Sequence, residues 1–230
     1  MTENGFLSPG VFVDSNSATI IAFARTATAA AQDQTDAVLR LYQTVRDAIR
    51  YDPYVDFGLP ASFQASAVVS AGRGFCIGKA SVFAACARVL GVPARLGFAD
   101  VRNHLTSPRL LELMQTDVFR WHGYTELYLA GKWVKATPAF NASLCERVGV
   151  PPLDFDGRAD SLFHAFDRAG RRHMEYVLDR GSFADVPFER ITADFKVYYP
   201  QLMSAPHSDG DFASEVTAGD EGDVKTPNPS

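Results

Sequence analysis

Apolar residues recur at helical spacing in two stretches of the N-terminal half of the chain. In residues 35–50 the apolar face of the predicted helix consists of Val38, Leu41, Tyr42, Val45 and Ile49. Asp33 or Thr35 can cap its amino end, and Pro53 follows soon after the last apolar position. The alanine-rich residues 16–31 are also predicted to be helical.

Residues 76–90 carry the second regular pattern. Their apolar face is narrow and consists mainly of small side chains: Ala80, Phe83, Ala84 and Ala87. Gly91 and Pro93 follow in the order that is typical of a helix end. Gly72 and Gly74 come directly before this helix and allow the backbone to approach a ligand closely.

Beyond Pro93 the helical spacing gives way to alternation, which indicates β-strands. Leu96 and Phe98 alternate with smaller or polar residues, and residues 120–129 are rich in Trp and Tyr. A turn at 130–132 leads into a third strand over 133–137. Helices followed by an antiparallel meander predict an α+β fold. From 143 to 200 the pattern is weaker and predicts loops with short elements.

Composition places the chain among ordinary globular proteins. Of its 230 residues, 47% are hydrophobic and 21% are charged. No run approaches the roughly 18 apolar residues that span a bilayer, so we expect no membrane partner. The first residues lack the basic segment and apolar core of a secretion signal, so we expect a cytoplasmic location.

The net charge of −5 is concentrated at the carboxyl end of the chain. Residues 204–230 contain six acidic residues and one lysine, which leaves residues 1–203 close to neutral. A neutral body offers no electrostatic basis for binding nucleic acid. The tail is also rich in Asp, Gly, Ser and Pro. We therefore predict one domain over 1–203 and a disordered acidic tail over 204–230.

The chain has three cysteines, of which Cys76 has the setting of a reactive thiol. An odd, small number without CxxC spacing argues against a disulfide framework and against a zinc site. Cys76 opens a predicted helix, where the helix dipole and free N–H groups favour a thiolate. Arg73 and Lys79 add positive charge nearby. Cys86 and Cys145 are predicted to be structural.

His122 begins a predicted strand and is the candidate base for this thiol. Alternation places His122, Tyr124, Glu126 and Tyr128 on one face. A tight turn that pairs Leu129 with Lys132 would put Tyr124 opposite Thr137. His122 would then lie diagonal to Thr137, at roughly 7–8 Å between backbones. A histidine oriented from the neighbouring strand is what the base for a thiol requires.

Three ordered segments resemble the transglutaminase-like superfamily. Gly74-Phe75-Cys76 is similar to the family's G-x-C opening, and Gly91-Val92-Pro93-Ala94-Arg95 to its exit into a strand. The segment from His122 to Trp133-Val134 is similar to its histidine block. The resemblance covers residues 30–142. It implies a papain-like α+β fold, in which a helical layer with the nucleophile Cys76 packs on an antiparallel sheet with the base His122.

The third block of the family departs from its usual form in this chain. Where the family reads W-V-x-x-D-P-T, this sequence places Thr137 at the position of the aspartate that orients the histidine. A carboxylate fixes the imidazole tautomer and stabilises imidazolium, whereas a hydroxyl can only fix geometry. Thr137 is therefore one candidate for the third group. Asp154, Asp156 and Glu126 are alternative sources of a carboxylate.

Other groups could complete the site. The backbone N–H of Cys76 is the natural oxyanion donor, and Gln64 could supply a second one. His104 could border the cleft. Some members of the family use calcium, but no segment has the acidic density of a calcium loop. We predict neither a metal nor a cofactor.

The resemblance implies acyl transfer through a thioester on Cys76. We expect hydrolysis of a peptide or amide bond in a peptide or protein substrate. Two alternatives stay open: cross-linking of protein glutamine to an amine, and a degenerate domain that binds a peptide or protein without turnover. The sequence makes no prediction of oligomeric state.

Overall fold

A single helix runs through the middle of the protein, and the other elements are arranged around it. The computed structural model describes residues 3–104, 106–163, 170, 174–205 and 212–218. The helices of the N-terminal half are α1 (Ala18–Ala27), α2 (Gln34–Ala48), α3 (Ala65–Ala71) and the central α4 (Cys76–Val89). Two short strands, β1 (Arg50–Tyr51) and β2 (Arg73–Gly74), pair in parallel just before α4.

The rest of the described chain forms the main sheet and five helices. Its strands are β3 (Ala94–Asn103), β4 (Val118–Leu129), β5 (Lys132–Ala136) and β6 (Met174–Phe183). The helices are α5 (Pro108–Met114), α6 (Ala142–Arg147), α7 (Phe188–Tyr198), α8 (Pro200–Ser204) and α9 (Phe212–Ala218). The sheet is antiparallel in the order β5-β4-β3-β6. The predicted α+β architecture, with the helical layer on an antiparallel sheet, is confirmed.

Helix α4 is buried on every side, and the predicted narrow apolar face is wrong. Residues 77–88 are all buried, because α1, α2 and α3 surround the helix together with β4. Its alanines let these neighbours approach closely, whereas Lys79 and Arg88 are buried polar exceptions. The Lys79 ammonium donates to the carbonyls of Arg46 and Ile49 at the carboxyl end of α2.

The boundaries of α2 follow its predicted capping. The Asp33 carboxylate accepts a hydrogen bond of 2.8 Å from the N–H of Asp36. Such a side-chain cap satisfies one of the free N–H groups in the first turn. The helix covers most of the predicted stretch 35–50, and its apolar face packs against α4.

The β4–β5 hairpin has the predicted register at its turn. Leu129 pairs with Lys132, and the intervening Ala130 and Gly131 both have positive φ, at 48° and 83°. The ladder ends where Thr125 pairs with Ala136. The predicted pairing of Tyr124 with Thr137 is therefore wrong. The chain leaves β4 after Ala136, and the Thr137 N–H instead donates to the Ser161 carbonyl at 2.9 Å.

Strand β6 and helix α7 lie in the region where loops with short elements were predicted. β6 is an edge strand, and it leaves Tyr176, Val177 and Leu178 exposed. Three consecutive exposed apolar residues hide the alternation by which a half-buried strand is recognised. This explains why the pattern gave no signal for a ten-residue strand.

The carboxyl-terminal tail contains an ordered helix. α9 lies inside the segment that was predicted to be disordered, while residues 206–211 and 219–230 lie outside the described residues. Phe212 packs against the rings of Tyr51 and Tyr54. The Glu215 carboxylate accepts hydrogen bonds from the Tyr54 hydroxyl and the Arg109 guanidinium. This aromatic and ionic anchoring corrects the prediction for residues 212–218.

Candidate active site

Cys76 is the first residue of α4 and lies where the helix meets β4. Phe75 precedes it in extended conformation and has no polar side-chain atom to cap the helix. The backbone N–H groups of Gly123, Ile77 and Cys76 itself donate toward the sulfur. Cys76 is half-buried, whereas Cys86 and Cys145 are buried. Of the three thiols, the one at the helix start is thus the most accessible.

Gly123 allows β4 to approach the start of α4 this closely. A Cβ atom at this position would lie 3.0 Å from the Ile77 Cα and 3.0 Å from its Cγ1. Because β5 ends opposite Thr125, the Gly123 N–H lies beyond the ladder and is available to the sulfur. Thr125 fixes the same contact one step along the strand, since its hydroxyl donates to the Ala80 carbonyl at 2.9 Å.

Cys76 and His122 line the same cavity. This space of about 40 Å³ is otherwise mostly apolar, and its aromatic walls include Tyr51, Phe75 and Trp121. Further walls come from α5, α7 and α8 through Leu110, Met114, Phe195, Tyr199 and Leu202. We call this space the thiol cavity. The structure therefore brings together the two residues that the sequence singles out as nucleophile and base.

Burial dominates the ionisation of both groups. It raises the pKa of the Cys76 thiol to about 11, although the backbone N–H groups of Gly123, Ile77 and Cys76 act in the opposite direction. Burial also lowers the pKa of His122 to about 4. At neutral pH the resting site therefore contains a thiol and a neutral imidazole.

The expected positive charge around the thiol is largely neutralised or displaced. Arg73 forms an ion pair with the buried Asp52 at 3.2 Å. Lys79 points to the end of α2, and burial lowers its pKa to about 7. The predicted stabilisation of a thiolate by these two residues is thus not what the structure shows. Desolvation outweighs both the helix dipole and the distant charges.

A second cavity lies on the other side of His122, and we call it the distal cavity. It has a volume of about 20 Å³ and is lined by His122, Thr137 and Cys145. The remaining walls are apolar residues: Ala139, Phe140, Val150, Pro151, Leu153, Leu162, Phe163 and Met174. Within the described residues, neither Nε2 of His122 nor Oγ1 of Thr137 has a hydrogen-bond partner, although both atoms are buried. Thr137 and His122 are thus brought to one cavity.

The three alternative carboxylates are engaged elsewhere. The side chain of Asp154 is 93% exposed and lies 3.4 Å from the Arg46 guanidinium. Asp156 accepts hydrogen bonds from the backbone N–H groups of residues 158 and 159 at 2.8 Å. Glu126 accepts from Arg95 and, at 2.9 Å, from the Ser182 hydroxyl. In this structure none of these carboxylates is hydrogen-bonded to His122, so the suggestion that one of them orients the imidazole is not supported.

Gln64 and His104 lie away from the two cavities in the described part of the chain. The Gln64 amide donates to the Val11 carbonyl at 3.4 Å, at the start of α3. His104 is exposed at the end of β3, where its Nε2 lies 3.6 Å from the Glu175 carboxylate. Neither residue lines the thiol cavity. Their predicted roles as oxyanion donor and cleft border are therefore not supported by position.

A β-bulge directly before His122 is the feature that sequence reasoning missed. Trp121 has φ of +59°, a left-handed conformation that is costly for a residue with a side chain. The β3–β4 register shifts between Ala99 and Val101, opposite this residue. The buried Asp100 carboxylate accepts from the Trp121 N–H at 3.0 Å. Bulges next to active sites commonly redirect a side chain, here that of His122.

Arginine side chains complete the support of this bulge. Arg180 from β6 donates to both oxygens of Asp100 at 2.6 and 2.9 Å, and Arg120 donates to one of them at 3.2 Å. Arg180 also donates to Asp194, which accepts from the Trp121 indole at 2.7 Å. We call Asp100, Arg120, Trp121, Arg180 and Asp194 the bulge network. Its members come from three separate parts of the chain, residues 100, 120–121 and 180–194, so local patterns could not have found it.

The described residues were searched for metal-binding clusters and for membrane-spanning helices. Across the described residues, no three His, Cys, Asp or Glu side chains come together in a way that could hold a metal ion. Within the same part of the chain, no helix combines the length and apolar character needed to cross a bilayer.

A likeness to an individual known protein is found among solved structures but not among curated proteins. A search of curated proteins finds no significant match. Among solved structures, the chain is similar to "a Putative Cysteine Protease from Cytophaga hutchinsonii", at 17% sequence identity and a TM-score of 0.47. The match covers 78% of this chain and 46% of that protein, so this chain spans about half the length of that relative.

The family comparison identifies the superfamily of the chain. The profile of the transglutaminase-like superfamily matches residues 21–138, which is just over half of the sequence. This range contains most of α1, all of α2 to α4, the strands β3 to β5, and Cys76, His122 and Thr137. The chain belongs to the transglutaminase-like superfamily.

Proposed function

We propose that the protein is a thiol-dependent acyl-transfer enzyme that hydrolyses a peptide or amide bond. The observation that carries the proposal is the shared cavity of Cys76 and His122, with the sulfur at the start of α4 and facing the Gly123 N–H. Family membership supports the same chemistry. In this proposal Cys76 is the nucleophile and His122 is the general acid and base.

The reaction begins from the neutral pair. As the sulfur attacks the carbonyl carbon, His122 accepts the thiol proton, and the carbonyl oxygen becomes an oxyanion next to the N–H groups at the start of α4. The C–N bond then breaks, the imidazolium gives its proton to the departing amine, and a thioester remains on Cys76. Water, deprotonated by His122, attacks the thioester and releases the acid and the thiol.

The surroundings of the pair favour a peptide or protein substrate. The thiol cavity offers apolar and aromatic walls, which suit the side chain next to the reacting carbonyl. We place this activity in the cytoplasm, because the three cysteines are free thiols, as is usual in reducing compartments.

The proposal is tested by turnover of a library of blocked fluorogenic peptides. Cys76→Ala and His122→Ala are expected to lower turnover at least a thousandfold, whereas Cys86→Ala is expected to retain it. Cys86 is the matched control because it lies buried in the same helix, away from both cavities. Turnover that survives Cys76→Ala in purified protein would contradict the assignment of the nucleophile.

A second candidate function is a domain that binds a peptide or protein without turning it over. The raised pKa of Cys76, the lowered pKa of His122 and the neutral Thr137 favour it, since all three weaken the nucleophile and base. Incubation with p-nitrophenyl acetate distinguishes the two. An enzyme acquires an acetyl group on Cys76, releases it with time, and shows neither step in Cys76→Ala. A binding domain shows no acetylation of Cys76 above that of a free thiol of the same pKa.

A further inference from the structure

Two buried polar atoms of the distal cavity have no hydrogen-bond partner among the described residues. His122 is 8% exposed and Thr137 is 3% exposed. Among the described residues, Nε2 of the one and Oγ1 of the other have no partner, although both residues line the same cavity. Buried polar atoms in folded proteins almost always have a partner, which is either protein or an ordered water molecule.

Both backbone polar groups of Thr137 already have hydrogen-bond partners. Its N–H donates to the Ser161 carbonyl at 2.9 Å, and its own carbonyl accepts from the Tyr42 hydroxyl at 3.3 Å. The hydroxyl is the part of Thr137 that remains for the cavity. Since Asp154, Asp156 and Glu126 are bonded elsewhere, these carboxylates do not fill the cavity either.

The volume of the distal cavity indicates which group can bridge His122 and Thr137. One water molecule needs about 10–15 Å³ and two or more polar partners. The distal cavity has about 20 Å³ and presents the imidazole and the hydroxyl, with the Cys145 thiol as a weaker third partner. This volume matches a single water molecule.

We infer that one buried water molecule bridges Nε2 of His122 and Oγ1 of Thr137, and that Thr137 positions the catalytic imidazole through this water. The role in positioning rests on the proposed function; the bound water does not. With the other ring nitrogen free to accept the thiol proton, Nε2 keeps its own proton, and this N–H donates a hydrogen bond to the water. The water in turn donates to the Thr137 hydroxyl. No bond is made or broken in this arrangement.

The bridge fixes the tautomer of His122 but supplies no negative charge. It therefore differs from the carboxylate that usually stands at the position of Thr137 in the family. This is consistent with the low pKa of His122, since a neutral partner does little to stabilise imidazolium.

The test compares Thr137→Val with Thr137→Ser, and uses Thr192→Val as the control. Valine keeps the shape of threonine without the hydroxyl, and serine keeps the hydroxyl. Thr192 is a buried threonine of α7 whose hydroxyl bonds its own helix at 3.0 Å. We expect Thr137→Val to lower kcat about five- to tenfold with KM unchanged, as for the loss of one neutral hydrogen bond. Thr137→Ser should restore most of this loss, and Thr192→Val should leave kcat unchanged.

Two readouts do not depend on turnover. A high-resolution crystal structure should show a water molecule between the two side chains in the natural protein, and its loss in Thr137→Val. Nitrogen NMR should show the Nε2-protonated tautomer of neutral His122 in the natural protein and a mixture in Thr137→Val. A direct contact between Nε2 and Oγ1, a partner other than water, or an unchanged tautomer in Thr137→Val would overturn the inference.

These outcomes separate the two proposals. If Cys76→Ala abolishes turnover but the cavity holds no bridging water, the inference fails and the proposed function stands. If the water is present but neither Cys76→Ala nor His122→Ala lowers turnover, the proposed function fails, and the positioning role of Thr137 fails with it.

Discussion

The two sides of the His122 imidazole differ in how their polar groups are satisfied. On the side of the thiol cavity, backbone N–H groups of Gly123, Ile77 and Cys76 converge on the sulfur. On the side of the distal cavity, Nε2 of His122 and Oγ1 of Thr137 have no partner among the described residues. The donors on the thiol side are backbone groups, and Gly123 lets β4 come close enough to supply one of them. The distal side depends on the identity of one side chain.

This difference identifies position 137 as the part of the site that depends on side-chain chemistry. The start of α4 and the close approach of β4 place the nucleophile through backbone geometry. The strength of the base depends on what position 137 offers to the imidazole, and threonine offers no charge. Within one fold, the nucleophile is thus held in place while the base is tuned by the chain that follows β5.

The largest expected effect is the change with pH in the rate at which the Cys76 sulfur is alkylated. Because burial raises the pKa of Cys76 to about 11, the thiolate fraction should rise about tenfold per pH unit from pH 7 to pH 10. Alkylation by iodoacetamide should therefore accelerate about a thousandfold over this range. Mass spectrometry of the labelled Cys76 peptide measures it, with Cys76→Ala as the blank. A rate that is already constant below pH 7 would instead show a preformed thiolate–imidazolium pair.

The next effect concerns the bulge network, which holds Trp121 directly before His122. Asp100→Asn removes a buried charge that is 1% exposed and binds Arg180 through two hydrogen bonds. Breaking such a buried pair should lower the free energy of unfolding by about 3 kcal/mol, as measured by denaturant titration. The asparagine amide leaves one acceptor oxygen for Arg180, Arg120 and the Trp121 N–H, where the carboxylate has two. Turnover of the remaining folded protein should fall as well, because the left-handed Trp121 is held less firmly.

The matched control for this variant is Asp117→Asn. Asp117 forms an ion pair with Arg102 at 3.1 Å, but its side chain is 44% exposed. Exposed pairs contribute about 0–1 kcal/mol, so little change is expected. Equal losses in the free energy of unfolding would show that the bulge network stabilises the protein no more than an exposed ion pair does.

A third experiment disturbs only the contact between β4 and the start of α4, on the side of the thiol cavity. In Gly123→Ala the new Cβ would lie 3.0 Å from the Ile77 Cα, so β4 and the start of α4 must separate. Misplacement of the reacting groups by about 1 Å can cost about a hundredfold in rate. Because a contact of 3.0 Å is relieved by a smaller shift, we expect turnover to fall by about tenfold. Gly5→Ala is the control, because its Cβ would meet no atom within 4 Å. Unchanged turnover in Gly123→Ala would show that the contact with the sulfur is dispensable.

The sequence was sufficient for the parts of the site that depend on local spacing. The helix start at Cys76, its end before Gly91, and the hairpin that pairs Leu129 with Lys132 all follow from short-range rules. The ionisation of Cys76 does not, because the helix dipole is a local property whereas burial depends on everything packed around α4. The sequence therefore predicted a thiolate where the structure has a thiol.

The remaining features depend on contacts between residues far apart in the chain, and for that reason the sequence did not predict them. Asp100 and Arg180 are 80 residues apart, and no local pattern indicates that β6 brings them together. β6 itself escaped prediction because its exposed Tyr176, Val177 and Leu178 interrupt the alternation. Thr137 could be recognised as a departure from the family motif. That its hydroxyl shares a cavity with Nε2 of His122 required the coordinates.

A fourth experiment supplies the distal side with the charge that it lacks. Thr137→Asp places a carboxylate in the distal cavity, where it can accept from Nε2 and stabilise imidazolium. The pKa of His122 should rise from about 4 by about one unit or more, which NMR titration of its ring protons measures. Thr137→Asn is the control of similar size without charge, and should leave this pKa lower than Thr137→Asp does. Equal pKa values in the two variants would show that position 137 does not reach the imidazole.

The smallest effect is expected from the carboxylates that lie near the site in sequence but not in space. Asp154 is almost fully exposed, and Asp156 is occupied by the backbone of the turn that follows it. Asp154→Asn and Asp156→Asn should therefore change turnover less than twofold, because neither removes a group from His122. Steady-state kinetics of both variants, beside Thr137→Val, measures this difference. A loss in either aspartate variant as large as that in Thr137→Val would mean that the loop of residues 151–163 closes on the imidazole during the reaction. The distal side would then be completed by a carboxylate after all.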